Sequence, residues 1–103
     1  MASVATSRPG VQERIFLHLS DFLDHSEKVE VPFALSQMGI ANAVSIARSN
    51  VPRAISGMKE AGHLIERQVH VTGVSRKRKA YFLTDDGVKV ADEIWDKVSE
   101  ATV

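Results

Sequence analysis

A chain of 103 residues, 44% hydrophobic and 25% charged, has the balance of one globular domain around one modest core. It has no cysteine, which excludes a disulfide framework, thiolate metal sites and a cysteine nucleophile, and fits a reducing, cytoplasmic setting. The net charge of zero conceals a segregation: from Arg48 to Lys79 eight basic residues face two acidic ones, a balance of +6 that the rest of the chain cancels.

Along the chain, "MASVATSRPG" lacks the apolar stretch of a signal peptide, and no apolar run approaches the ~18 to 20 residues that span a membrane. Residues 1 to 10 read as a flexible leader and residues 11 to 103 as one domain. Val11, Ile15, Phe16, Leu19, Phe22 and Leu23 recur at three- and four-residue steps, predicting an amphipathic helix that ends near Asp24. In "HSEKVEVPF", Val29, Val31 and Phe33 alternate beside Pro32. This predicts a short edge strand, since proline cannot donate to a central ladder.

Ser36 is the expected N-cap of a short helix that turns Ile40, Ala41 and Val44 inward. A break is expected around Ser45-Ile46-Ala47. A second helix, about 49 to 61, starts at Ser49 or Asn50, either of which can cap it, with Pro52 in its first turn where no N–H is needed. Its inner face is Val51, Ala54, Ile55 and Met58, and Gly62 is the expected stop. Two short helices joined by a tight turn, the second with a basic outer face, form a helix-turn-helix pattern.

Leu64 to Val71 and Ala80 to Thr84 read as strands joined by a loop that begins at Thr72-Gly73 and carries Arg76, Lys77, Arg78 and Lys79. Thr84, followed by Asp85 and Asp86, starts a capped final helix. That helix is expected to bury Val88, Ala91, Ile94, Trp95 and Val98, with Trp95 either in the core or anchoring a dimer. Met38 and Met58 are expected in the core. The fold class is therefore α+β, mainly α: a winged helix-turn-helix with a three-helix core, a β-hairpin wing and a C-terminal helix.

The residues also carry a resemblance. "SQMGIANAVSIARSNVPRAISGMKEAGHLIER", followed by "VSRKRKAYFLTDDG", is similar to MarR-like and related archaeal-type winged-helix DNA-binding domains over about residues 11 to 98. In that pattern a recognition helix ends in an acid-x-Gly before "LI", and the wing closes with an aromatic, "LT" and a glycine. The resemblance implies a transcriptional regulator that binds duplex DNA, with the helix of about 49 to 61 in the major groove. The basic wing, 72 to 79, would lie on the minor groove or its phosphates.

On that reading Arg53 reaches a base edge or a phosphate, and Arg48 and Lys59 reach phosphates. Ser49 and Asn50 would touch bases or phosphates, with a purely capping role equally open for each, and Ser56 lies a turn further along the same helix. Arg76, Lys77, Arg78 and Lys79 contact DNA as a group, about half of them at once, because successive strand residues face opposite sides. Ser36 and Gln37 would meet a phosphate through the helix N-terminus, with plain capping as the alternative.

Other chemistry finds little support in the residues. His18, His25, His63 and His70 lack a metal-ligand spacing, and no cofactor or phosphate-loop motif is present, so neither a metal site nor an enzyme is expected. A homodimer through the terminal helices is the expected assembly. The alternative function is a winged helix that docks an acidic protein partner, or RNA, within a larger assembly, since any polyanion suits the basic segment.

Overall fold

The protein is described by a computed structural model over residues 10 to 101, so the expected leader, apart from Gly10, lies outside the described residues. Helix α1 (Val11–Leu19) opens the fold, its first turn closed by the Glu13 carboxylate accepting from the Gly10 N–H at 2.8 Å. It stops five residues short of the expected end. A 3₁₀ turn, Ser20–His25, continues it, with Phe22 off helical geometry at φ −129° and ψ 38°. The Ser20 hydroxyl donates to the Leu17 carbonyl at 2.6 Å, the kind of local bond that competes with a helical ladder. The apolar stripe narrows accordingly. Ile15, Phe16 and Leu19 are buried, whereas Leu23 is exposed.

Strand β1 (Glu30–Val31) runs parallel to β2 (Leu64–Val71), which pairs antiparallel with β3 (Arg78–Leu83), giving the order β1-β2-β3. The expected edge strand exists, and Val31 alone of its alternating trio is buried. Strand β3 begins two residues earlier than the sequence implies. Arg78 and Lys79 therefore belong to the ladder, opposite Val69 and Gln68, and only Arg76 and Lys77 remain in the loop.

Helix α2 (Gln37–Val44) begins at Ser36 and ends at Ser45, whose φ of 59° puts it in the left-handed region. Gly39 in its first turn is a steric necessity: a Cβ there would stand 2.0 Å from the Phe33 carbonyl oxygen. Helix α3 (Val51–Glu60) follows a 3₁₀ turn, Arg48–Asn50, and carries Pro52 in its first turn as expected. Neither Ser49 nor Asn50 caps it. Asn50 is already helical at φ −90° and ψ −12°, and the turn is closed instead by its backbone N–H donating to Ala47 at 2.9 Å. Gly62, at φ 78°, ends the chain's path out of α3, where a left-handed residue is needed.

Helix α4 (Asp85–Ala101) starts as expected, with Thr84 Oγ1 accepting from the Gly87 N–H at 3.1 Å and Asp85 and Asp86 in the first turn. The core joins Ile15, Leu19, Leu35, Ile40, Ile55, Met58 and Tyr81 with Ala91 and Ile94 of α4. Several expected core residues are not in it, among them Val88, which is only partly buried. Met38 is 40% exposed on the outer side of α2, and Trp95 is 48% exposed on α4. Both fit a helical stripe by spacing, and both fall on its margin.

Candidate nucleic-acid interface

The outer side of α3 is set by what its inner side buries. Val51, Ile55 and Met58 enter the core, so Arg53, Ser56 and Glu60 project outward at helical spacing. Lys59 falls on one flank, next to β2. Ser49, Asn50 and Arg48 lie exposed in the turn before α3. No side-chain capping bond holds Asn50, so its amide is available to a partner. Glu60 is an acid on the outer face that a search for basic residues passes over.

The wing and the start of α2 are stitched together. Ser36 forms an isolated antiparallel bridge with Ala80 of β3, and the Gln37 amide donates to the Tyr81 hydroxyl at 3.0 Å. The Ser36 hydroxyl is fully used: it donates to the Phe33 carbonyl at 2.7 Å and accepts from the Gly39 N–H at 3.1 Å. With only 4% of its surface exposed, its side chain caps α2 and has its one donor already engaged. The backbone N–H groups that follow it open the helix.

Between these elements runs an open groove of about 480 Å³, lined by Gln37, Met38, Arg48 and Gln68 together with Lys77, Arg78 and Lys79. Four of its lining side chains are cations and none is an acid. Phe33 and the exposed Met38 give it one apolar wall. Arg48 from the turn and three wing residues thus share one surface, although some thirty residues of sequence separate them.

The basic segment does not act as one block. Arg67 is bound into the fold, its guanidinium donating to the Ser26 carbonyl and, at 3.5 Å, to that of Lys28, and lying 5.7 Å from the centre of the Phe82 ring. Lys59 meets Glu66 Oε1 at 3.2 Å, and Lys79 lies 3.9 Å from Glu66 Oε2. Among the described residues, Arg48, Arg53, Arg76, Lys77 and Arg78 make no ion pair. Five cations are thereby left unneutralised.

Glu66 sits opposite Tyr81 in the β2–β3 ladder. Partial burial works to raise its pKa, but hydrogen bonds from Lys59 and Tyr81, with the charges of Lys59 and Lys79, outweigh this and leave it below the usual carboxylate range. Tyr81 moves the other way. Burial raises its phenol, the neighbouring Glu66 charge adds to that, and the Gln37 bond opposes it. The sequence offered no signal for this junction, because its members come from α2, α3, β2 and β3.

Among the described residues no group of three or more His, Asp or Glu side chains is placed to hold a metal ion, and no helix is long and apolar enough to cross a membrane. No protein-family model matches the sequence, and no curated protein matches it. Solved structures do match. The zinc-responsive MarR family member ZitR of Lactococcus lactis superposes with a TM-score of 0.67 at 17% identity, over 99% of this chain and 61% of that one.

This chain has the winged-helix fold. MepR, a transcription regulator of the Staphylococcus aureus multidrug efflux pump MepA, gives a TM-score of 0.65 at 16% identity, over 94% of this chain and 62% of its own. The S. aureus MepR–DNA complex gives 0.65 at 17%, over 91% and 67%. The winged helix spans about three-fifths of the length of the ZitR and MepR chains that it matches. In its terms α2 and α3 are the helix-turn-helix, and β2 and β3 are the wing.

Proposed function

We propose that this winged helix binds duplex DNA as a transcriptional regulator, with the outer face of α3 in the major groove and the wing on the minor groove or its phosphates. The observation that carries the reading is the convergence of Arg48 with Lys77, Arg78 and Lys79 around one groove that has no acid in its lining. A surface of that sign attracts the phosphate backbone, and the exposed, unpaired Arg53 on the outer face of α3 is of the type that reads guanine. Ser49, Asn50 and Ser56 add hydrogen-bonding groups along the same face. The start of α2 contributes the backbone N–H groups of Gln37 and Met38, not the Ser36 hydroxyl. That MepR has been solved on DNA supports the reading.

The same reading takes the protein to be a cytoplasmic non-enzyme and a homodimer through α1 and α4. The half-exposed Trp95 on α4 supports a covered face there, since a large aromatic is costly to leave in water. Fluorescence anisotropy with random duplex, single strand and RNA of matched length tests the function. Duplex preference with a log–log salt slope of about −4 to −5, from five unpaired cations, is the expected result. Equal or stronger binding to RNA, or none to any nucleic acid at low salt, would overturn it. An unbound basic face would then mark a site for an acidic protein.

A further inference from the structure

We propose that Glu66 is a built-in competitor for the DNA backbone. It holds Lys59 of α3 and Lys79 of the wing, and gives them up only where a phosphate is close enough to take its place. The inference rests on the DNA-binding reading above and adds a residue that limits it.

The geometry has three parts. Each carboxylate oxygen serves a different lysine, Oε1 facing Lys59 Nζ at 3.2 Å and Oε2 facing Lys79 Nζ at 3.9 Å. The carboxylate is also the most covered of the three groups, with 26% of its side chain exposed against 43% for Lys59 and 51% for Lys79. The lysines therefore lie to the solvent side, where a polyanion would approach. Finally, Glu66 is carried on a paired strand, directly opposite Tyr81 in the ladder, and Tyr81 is held by the Gln37 amide. A strand-borne acid stays in place while the long lysine side chains swing.

Chemistry makes the exchange easy. Exposed lysine–carboxylate pairs are individually weak, and phosphate oxygens offer an ammonium the same charge-assisted hydrogen bond. Weak, loose binding to a polyanion leaves the pairs intact, and the cluster presents one net positive charge instead of two. A duplex seated on both α3 and the wing brings phosphates to both lysines, which then exchange the carboxylate for phosphate while Glu66, still charged, continues to offset one of the two. Glu66 sets a threshold between these states.

The test is anisotropy on random duplex at ~50 to ~200 mM salt. Wild type would be run beside Glu66→Gln, beside Lys59→Gln/Lys79→Gln, and beside the triple combination. Glutamine keeps the shape and a hydrogen-bond acceptor, and a thermal melt of each variant checks that it folds. Glu66→Gln is expected to bind about three- to tenfold tighter at the lowest salt, with a slope steeper by about one. In the Lys59→Gln/Lys79→Gln background the same change is expected to matter less than about twofold, because there is nothing left to release.

The outcomes separate cleanly. Wild type that binds DNA, with Glu66→Gln no tighter and no steeper, overturns the competitor and leaves the DNA reading standing. An equal effect of Glu66→Gln with and without the lysines makes Glu66 part of a diffuse field, which also overturns it. Wild type that does not bind duplex removes both.

Discussion

Replacing Gly87 by alanine sets two effects of opposite sign against each other. In a helix interior, alanine is favoured over glycine by about 1 kcal/mol, so propensity alone predicts a more stable protein. A Cβ on Gly87, however, would stand 1.9 Å from the His63 carbonyl oxygen and 3.1 Å from a Leu83 methyl. The carbonyl is main chain, so the first turn of α4 must back away by about 1 Å, the kind of overpacking that costs roughly 1 to 3 kcal/mol. That movement pulls on two hydrogen bonds, Thr84 N–H to His63 at 3.0 Å and the Thr84 hydroxyl to Gly62 at 2.6 Å. Each is worth about 1 kcal/mol.

The net expectation is a loss of about 2 to 4 kcal/mol, lowering Tm by about 10 to 25 °C in a chain of this size. Thermal unfolding followed by circular dichroism measures it, with Gly57→Ala as the internal control. At Gly57 a Cβ meets only the Gln12 amide nitrogen, at 3.1 Å, the end of a side chain whose exposed bond to the Ala54 carbonyl can give way. Gly57→Ala should therefore raise stability by a few tenths to about 1 kcal/mol. A Gly87→Ala protein as stable as wild type would refute the close approach of α4 to the α3–β2 corner, and with it the tight packing at that corner.

Ser36→Ala removes a buried hydroxyl that accepts from Gly39 and donates to Phe33, and should cost about 1 to 2 kcal/mol in chemical denaturation. Ser45→Gly relieves a left-handed residue at the end of α2 and should gain about 0.5 to 1 kcal/mol in the same assay. Glu66 has a folded-state pKa below its unfolded value. Its contribution is therefore present above the unfolded pKa and lost as pH falls through the folded one. Glu66→Gln should accordingly flatten the acid limb of stability against pH below about pH 4.5, and an unchanged limb would contradict the lysine pairs. Changing Arg76, Lys77 and Arg78 to alanine should make the duplex salt slope shallower by about one to three, according to how many of them meet phosphates at once.

Local chemistry was legible in the sequence wherever one residue decides the outcome. Ser36 and Thr84 cap, Gly62 stops α3, and Pro52 sits where its missing N–H is harmless, each for reasons confined to a few neighbours. Spacing was a poorer guide at the edges of helical stripes. Trp95 and Met38 have the right period, but whether a marginal position is covered depends on which element packs beside it. The basic segment shows the same limit. Its charge balance read directly from the residues, but that Arg67 is spent on the Ser26–Lys28 loop, and that Lys59 and Lys79 share one carboxylate, follows from strand register and helix docking. Counting charges gave the sign of the surface and overstated its strength.

The bridge from Ser36 to Ala80, with the Gln37–Tyr81 bond beside it, has a consequence for what the protein can tell apart. The start of the helix-turn-helix is tied part-way along the wing, so the distance between them works as a caliper whose gap does not follow the object being measured. A duplex whose two grooves match that gap is gripped by both arms at once. One that is too wide or too narrow must either be bent to fit or be held by a single arm. On the proposed reading, sequences that deform easily would be favoured even at base pairs no side chain touches.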